Sequence, residues 1–186
     1  MADNRVKFGL SRCYYSKITE NEGTITYATP VAMPGAVNMD FSPSGSVSNF
    51  AADNVYNYYT SNGVAGFEGD LEMAYIGNDF KKDILGYLED TNGAIYEVAS
   101  PVTSKFALLF QFDGDQKAVR HVLYNCSATR VPLNSQTTAD TKEPVTETIT
   151  ITAAPATDTE IVHAYLEQST ATDYTGWFNE VYTVAQ

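Results

Sequence analysis

The sequence is poor in the residues that carry most enzyme chemistry. Its 186 residues include two histidines, two cysteines and one tryptophan. His121 and His163 do not lie at a spacing typical of paired metal ligands, and the apolar neighbours of His121 are typical of a structural histidine. Cys13 and Cys126 have no basic neighbours that would lower a thiol pKa, so we expect buried, reduced thiols, with a disulfide as the alternative. We predict no enzyme activity, no cofactor and no metal site.

Basic residues are also scarce. The chain has 11 Lys and Arg against 23 Asp and Glu, which gives a net charge of −12. No basic cluster is larger than Lys81-Lys82, so we expect no sequence-specific binding to duplex DNA. The longest apolar run, Phe106 to Phe110, is far shorter than the roughly 20 residues that span a bilayer, and the first five residues lack the apolar segment of a signal peptide. We therefore predict no contact with a membrane and no export.

What the chain has in abundance is the composition of a β-protein. Hydrophobic residues make up 44% of the sequence, with 13 Tyr and 9 Phe, which excludes a disordered chain and favours strands. Short segments of alternating apolar and polar residues recur between turn residues. The clearest pair predicts a hairpin over residues 104–113 and 117–130.

Two segments have helical patterns. Asn78 is predicted as the N-cap of the first helix and Gly86 as its end. Ile84 and Leu88 lie four residues apart, on the side expected to pack against the sheet. Aromatic residues between positions 173 and 182 have the spacing of a second helix.

These elements predict a single, mainly β domain that spans residues 1–186. The predicted architecture is a β-sandwich or an open β-barrel of short antiparallel strands, with one flanking α-helix and a short C-terminal helix. A polar stretch over residues 131–144 lacks apolar periodicity, and its length makes it a candidate for function.

Three acidic residues share one face of a strand predicted over residues 67–75. Glu68, Asp70 and Glu72 alternate there with apolar residues, so they point away from the core. One interpretation is an ordinary solvated strand face, and a second is a wall of negative potential facing something that must not bind. A third is a glycosidase-like pair of acids with a raised pKa, which needs a cleft that the sequence does not indicate.

Three tyrosines are concentrated in residues 53–66, a segment without a clear pattern. Tyr56, Tyr58 and Tyr59 lie there among small and polar residues. Tyrosine buries a large area at low entropic cost and is enriched at protein interfaces, so we interpret these side chains as interface contacts. The alternative is that they cap a core.

A series of short motifs runs in order along most of the chain. The motifs are Glu68-Gly69-Asp70-Leu71-Glu72, the stretch 78–87 (NDFKKDILGY), Phe106-Ala107-Leu108-Leu109-Phe110, Phe112-Asp113-Gly114-Asp115, the stretch 120–126 (RHVLYNC), Thr148-Ile149-Thr150, Ala153-Ala154-Pro155, Trp177-Phe178 and Val181-Tyr182. Residues 4–10 and the pair Tyr14-Tyr15 belong to the same series. This order resembles the major tail proteins of siphophages, the bacterial viruses with long non-contractile tails. The similarity is weakest over residues 131–142 and 156–172.

The resemblance implies a fold and a function. It implies a β-sandwich or barrel flanked by a helix, and hexameric rings that stack into a tube through which the genome passes, with no catalytic residues. Loops and arms must then join neighbouring copies. The candidate arms are residues 53–66, 131–144 and the C-terminal segment 156–186, and the candidate inter-subunit contacts are Tyr56, Tyr58, Tyr59 and Trp177.

In such a tube, the excess of acidic over basic residues would have a function. We expect Glu68, Asp70 and Glu72 to face the lumen, where they would repel DNA that passes without specific binding. The expected partners are further copies of the chain and other tail proteins, such as the tape-measure and tail-terminator proteins, in a virion tail assembled in the host cytoplasm. The alternatives are a carbohydrate-binding β-sandwich that stacks sugars on exposed Tyr and Trp177, and a small acid–base hydrolase that uses Glu68 or Asp70.

Overall fold

A computed structural model of the protein describes residues 4–63, 66–137 and 144–184. This part of the chain forms a large antiparallel sheet, two small two-stranded sheets and two short helices. The strands are β1 (Leu10–Asn21), β2 (Thr24–Tyr27), β3 (Val31–Ala32), β4 (Ala36–Ser44), β5 (Val47–Ala52), β6 (Val55–Asn62), β7 (Gly66–Met73), β8 (Leu88–Glu89), β9 (Ile95–Tyr96), β10 (Phe106–Phe112), β11 (Val119–Ala128), β12 (Glu147–Ala153) and β13 (His163–Glu167). The helices are α1 (Asn78–Asp83) and α2 (Thr172–Gly176).

The large sheet has the strand order β2-β1-β10-β11-β12-β7-β4. β3 pairs with β1, and β13 pairs with the first half of β11, next to the place where β12 pairs with its second half. The sheet curls enough for β1 to contact β4, but it does not close into a barrel. The predicted class, mainly β with antiparallel strands and two short helices, is confirmed.

The strand β10 is buried on both faces and separates two cores. Phe106 and Leu108 point into the first core, where they pack with Leu71 of β7 and Ile149 of β12. Leu71 and Ile149 are paired on the neighbouring strands β7 and β12. Because β7 lies three strands from β10 in the sheet, a core shared by the two requires the sheet to curl one half over the other. Each such side chain, when fully buried, contributes about 1.5–3 kcal/mol to the stability of the fold.

The second core lies on the opposite face of β10 and is covered by the C-terminal segment. Trp177 is 1% exposed there and packs with Leu109 and Val122, and its Nε1 donates a hydrogen bond to the carbonyl oxygen of His121 at 3.3 Å. The indole of Trp177 is thus covered within its own chain, and the contact with other subunits predicted for it stays a prediction. The described part of the predicted arm 156–186 likewise packs on the chain's own sheet.

Both helices are shorter than the sequence predicts. In α1 the N-cap is Gly77 rather than Asn78, and Asn78 instead accepts a hydrogen bond from the Tyr75 hydroxyl at 3.1 Å. Ile84 is buried as expected, but Leu88 belongs to β8 and is 45% exposed. The chain leaves the helix before Leu88 can reach the sheet, so the predicted packing of Leu88 is wrong.

Candidate functional site

The outer face of β7 carries the acidic residues predicted from the sequence. Glu68 and Asp70 are exposed and Glu72 is partly buried, whereas Leu71 and Met73 between and beyond them are fully buried. The period of two therefore holds over this strand, and the predicted separation of acids from apolar residues is confirmed. Sequence reasoning missed a further acid, because its position depends on strand register.

That further acid is Asp40 of β4, which lies directly opposite Asp70. Like charges at directly opposed positions destabilise a pair of strands, so this pairing lowers the stability of the isolated fold. None of Asp40, Glu68, Asp70 and Glu72 makes an ion pair with a Lys or Arg in the described residues. We refer to these four residues as the acidic face.

Neutral hydroxyl groups surround the acidic face. Thr150 of β12 donates a hydrogen bond to Asp70 Oδ1 at 2.7 Å, and the Thr146 hydroxyl donates one to Glu72 Oε1. The three strands that build this surface, β4, β12 and β7, contain no Lys or Arg at all. The surface is therefore hydrophilic and uniformly negative, without a cation that would hold a phosphate.

A glycine brings the strands of this surface unusually close together. Gly69 lies between two of the acids, and a Cβ atom added there would collide with the backbone carbonyl oxygen of Asp40. Only a residue without a side chain lets β4 approach β7 at this point. The spacing of the acidic face thus depends on a backbone contact that no side-chain rearrangement can relieve.

The tyrosine-rich segment forms a second candidate surface. Residues 53–66, which have no clear pattern in the sequence, are mostly strand, because β6 occupies most of the segment and pairs with β5 around a turn at Asp53-Asn54. Asp53 and Asn54 have φ angles of 51° and 60°, which is the left-handed geometry of the tight turns favoured in hairpins. Residues 64–65 lie outside the described residues. We refer to β5, β6 and this turn as the aromatic hairpin.

The aromatic hairpin exposes rings on both of its faces. Phe50 pairs with Tyr59 on one face, and the two are 61% and 62% exposed. Tyr56 and Tyr58 lie on the other face and are 76% and 62% exposed. The alternative that the tyrosines cap a core is therefore wrong. A lone two-stranded hairpin is marginally stable in water, and clustered exposed apolar groups mark interaction sites, so this hairpin has the properties of a docking element.

The other candidate arm is described only in part. Residues 138–143 of the predicted loop 131–144 lie outside the described residues. At its start, Leu133 is fully exposed, and the Asn134 side chain donates a hydrogen bond to the carbonyl oxygen of Thr146 at 3.0 Å.

The structure brings together the two histidines, which sequence reasoning kept apart. His121 Nδ1 and His163 Nε2 are 3.0 Å apart, and the two rings stack with centroids at 5.3 Å. The antiparallel pairing of β13 with β11 produces this contact between residues far apart in the sequence. Burial, followed by the charge of the other histidine, lowers the pKa of His121 to about 4. Burial also lowers the pKa of His163, so both rings are neutral at pH 7.

The two cysteines are buried within the fold. Cys13 and Cys126 are buried free thiols, as predicted, and burial raises the pKa of each to about 12.

Among residues 4–63, 66–137 and 144–184, no three His, Cys, Asp or Glu side chains group as metal ligands do. No helix in this part of the chain is long and apolar enough to cross a membrane.

The sequence of the chain matches a known family over most of its length. A family model described as phage tail tube protein matches residues 45–185. The chain belongs to the phage tail tube protein family. Among curated proteins, no sequence matches it. As a tail tube protein it is a structural component of a virion tail that assembles with itself and with other tail proteins, a role that implies no catalysis.

The placement of the acidic residues and of Trp177 in this chain agrees with membership in the tail tube protein family. Its acids stand on the open face of a sheet rather than in a cleft, which gives no support to the hydrolase alternative. Of the residues that the carbohydrate-binding alternative uses to stack sugars, Trp177 is buried within its own chain.

Proposed function

We propose that this tail tube protein forms hexameric rings that stack into a conduit for DNA, with the acidic face lining the bore. The observation that carries the proposal is the surface of β4, β7 and β12, which has four acids and no cation in its strands. Asp40 and Asp70 oppose each other and so lower the stability of the isolated fold. A function in the assembled tube accounts for these acids better than a contribution to folding does.

An acidic bore suits the passage of DNA for an electrostatic reason. Duplex DNA carries one negative charge per ~1.7 Å of its axis, and a basic wall would bind it and halt its movement. A negative wall repels the duplex over roughly 8 Å at physiological ionic strength and keeps it away from the surface. The threonine hydroxyls beside the acids keep the wall hydrated without adding positive charge.

The strand β4 supports ring formation. It pairs with β7 on one side and has no partner strand on the other within the described residues. An open strand edge is a template for another chain, and self-assembling proteins remove the hazard by pairing it. A head-to-tail contact between copies closes into a ring when the rotation per copy allows, and the same subunit can repeat along the axis.

The aromatic hairpin is the proposed contact between copies. Tyr56, Tyr58 and Tyr59 supply exposed area that the chain itself does not cover. We further propose that the segment 131–144 contributes to these contacts, and that the tube meets the tape-measure and tail-terminator proteins in the host cytoplasm during assembly.

Cryo-electron microscopy of assembled material tests the proposal. The expected map has sixfold rings whose inner wall contains Glu68, Asp70 and Glu72. A map in which these side chains face the outside of the tube, or are buried between subunits, would refute the acidic bore. A different ring size would refute the hexamer while leaving the acidic bore intact.

A further inference from the structure

A groove of about 480 Å³ lies between the N-terminal segment and the strands β11 and β13. Its floor is aromatic. His121 packs against Phe112 with ring centroids at 4.9 Å and against His163 on the other side, and Tyr165 follows at 5.7 Å from His121. Tyr165 and Val6 at the groove are 62% and 58% exposed. Tyr165 is therefore the exposed ring of the floor, whereas the rings of His121 and His163 are partly buried and stack on each other.

The N-terminal segment that forms one wall of the groove is held in place by its first described residue. The side-chain amide of Asn4 donates a hydrogen bond to the carbonyl oxygen of Lys117 at 2.7 Å, and its Oδ1 accepts bonds from the backbone N–H groups of Gln116 and Lys117. The backbone N–H of Arg5 donates to Asp115 Oδ1 at 2.9 Å. The wall is thus anchored to the turn between β10 and β11.

The rim of the groove carries positive charge. Arg5 and Lys7 line it and are exposed, and neither makes an ion pair with a carboxylate of the described residues. The acid that lines the groove, Glu167, is bound to the Lys117 ammonium at 2.8 Å. Asp115 accepts the backbone N–H of Arg5 beside the groove. Arg5 and Lys7 are therefore the cationic side chains on the rim that are placed to pair with a negative group.

The aromatic hairpin has the complementary properties. Asp53, at the tip of its turn, is the only charged residue between positions 47 and 62. The exposed tyrosines of β6 follow this carboxylate along the chain. No residue of the hairpin lines the groove of its own chain in the described structure. The aromatic hairpin, with an acidic residue at its tip, is thus complementary to an aromatic groove with basic residues on its rim. Opposite charges fix the register of such a contact.

We propose that the groove is the receptor for the tip of the aromatic hairpin of a second copy of this chain. Asp53 of one copy pairs with Lys7 and Arg5 of the next, and Tyr56 or Tyr58 stacks on the exposed ring of Tyr165. The volume of the groove is within the roughly 300–1,000 Å³ of sites for small ligands, so it takes the tip and not the whole hairpin. This inference rests on the proposed self-assembly and adds the partner surface to it.

Charge exchange in the full-length chain tests the pairing. We expect Asp53→Lys to raise the protein concentration needed for tubes about tenfold, and Arg5→Glu/Lys7→Glu to do the same, because each places like charges together. Combining the three substitutions should restore assembly to near the wild-type concentration. Light scattering and negative-stain microscopy measure both the concentration and the product. Lys17→Glu/Lys105→Glu, at two exposed sites that do not line the groove, changes the net charge by as much as Arg5→Glu/Lys7→Glu and is the control for net charge alone.

The variant Asp53→Asn separates the effect of losing the charge from an effect on the turn. Asp53 has a positive φ, which Asn tolerates better than Lys, so Asp53→Asn keeps the turn and removes only the charge. It should weaken assembly by a smaller factor than Asp53→Lys. Wild-type assembly by Asp53→Asn, or a triple variant no better than its parents, would overturn the pairing.

Introduced cysteines give an independent measurement. Both native thiols are buried, so a Val6→Cys/Asp53→Cys chain carries new exposed thiols at the groove and at the hairpin tip. Mild oxidation of its tubes should give covalent ladders of the chain, whereas Lys17→Cys/Asp53→Cys should not. Tubes without a ladder would refute this inference and leave the tube function standing. A wild-type chain that never forms rings or tubes would refute both.

Discussion

At the scale of single residues, Gly69 determines how closely β4 approaches β7. It sits where β4 and β7 come closest, and the atom that a Cβ would meet is the backbone carbonyl oxygen of Asp40. A backbone atom in the middle of a paired strand cannot turn aside as a side chain can. The approach of the two strands therefore depends on the missing side chain.

We expect Gly69→Ala to destabilise the fold by about 1–3 kcal/mol, the usual cost of forcing an extra carbon into a packed region. Urea unfolding followed by circular dichroism measures the change in the free energy of unfolding. Gly176→Ala is the matched control, because a Cβ there meets nothing within 4 Å. Equal stability of the two variants would show that β4 moves away at little cost.

The histidine pair makes stability depend on pH. The pKa of His121 in the folded chain is about 4, below the ordinary value of about 6.5 that it regains on unfolding. Between these values the unfolded chain binds more protons than the folded one, so stability is complete above pH 6.5 and falls as the pH drops toward 4. The slope approaches about 1.4 kcal/mol per pH unit for one such group.

Urea midpoints at pH 7.5, 6.5, 5.8 and 5.0 measure this slope before ordinary carboxylates begin to titrate. The variant His121→Phe/His163→Phe removes both histidines of the chain and should flatten the profile in that window. Lys7, Arg5 and the Lys117–Glu167 pair are the other charged groups around the groove. An unchanged slope in the histidine-free chain would place the pH dependence elsewhere.

At the scale of elements, the aromatic hairpin separates folding from assembly. Its rings are exposed in the single chain, so Tyr56→Ser/Tyr58→Ser should change the free energy of unfolding by no more than about 0.5 kcal/mol per site. Assembly should weaken strongly, because aromatic side chains dominate interface energetics. Chemical unfolding and sedimentation velocity on the same samples measure the two effects. Tyr96→Ser, at another exposed tyrosine, should leave both unchanged.

The same elements show what a sequence can and cannot predict. The hairpin of β10 and β11 is predictable because an alternating pattern is local and its turn is rich in Asp and Gly. β6 is not, because its tyrosines occupy both faces and erase the period of two. The acidic residues of β7 follow from alternation alone. Asp40 and the His121–His163 contact do not, because both depend on the register between strands distant in the sequence.

At the scale of the whole molecule, four of the 23 acidic residues lie together on the acidic face, whose strands contain no Lys or Arg. The proposed bore predicts a gain of DNA binding on charge reversal. Purified wild-type tubes should not retard DNA, whereas Glu68→Lys/Asp70→Lys tubes should hold it, with an affinity that falls steeply as salt rises. Electrophoretic retardation at several salt concentrations measures this. Tubes of Glu20→Lys/Glu22→Lys, reversed by the same amount on β1 and the turn after it, are the control.

Binding of DNA by the control tubes to the same extent would mean that net charge, and not the acidic face, repels DNA. Failure of the Glu68→Lys/Asp70→Lys chain to form tubes, with the control assembling normally, would place these acids in contacts between subunits.

The position of Trp177 has a practical consequence for following this molecule in solution. As the sole indole of the chain, on the buried side of the C-terminal segment and beside the carbonyl of His121, it is an intrinsic fluorophore with a single, known environment. Lifting of that segment would admit water to the ring, shift its emission to longer wavelength and open it to acrylamide quenching. One optical signal, free of any label, thus reports whether the segment stays seated while the tail is built.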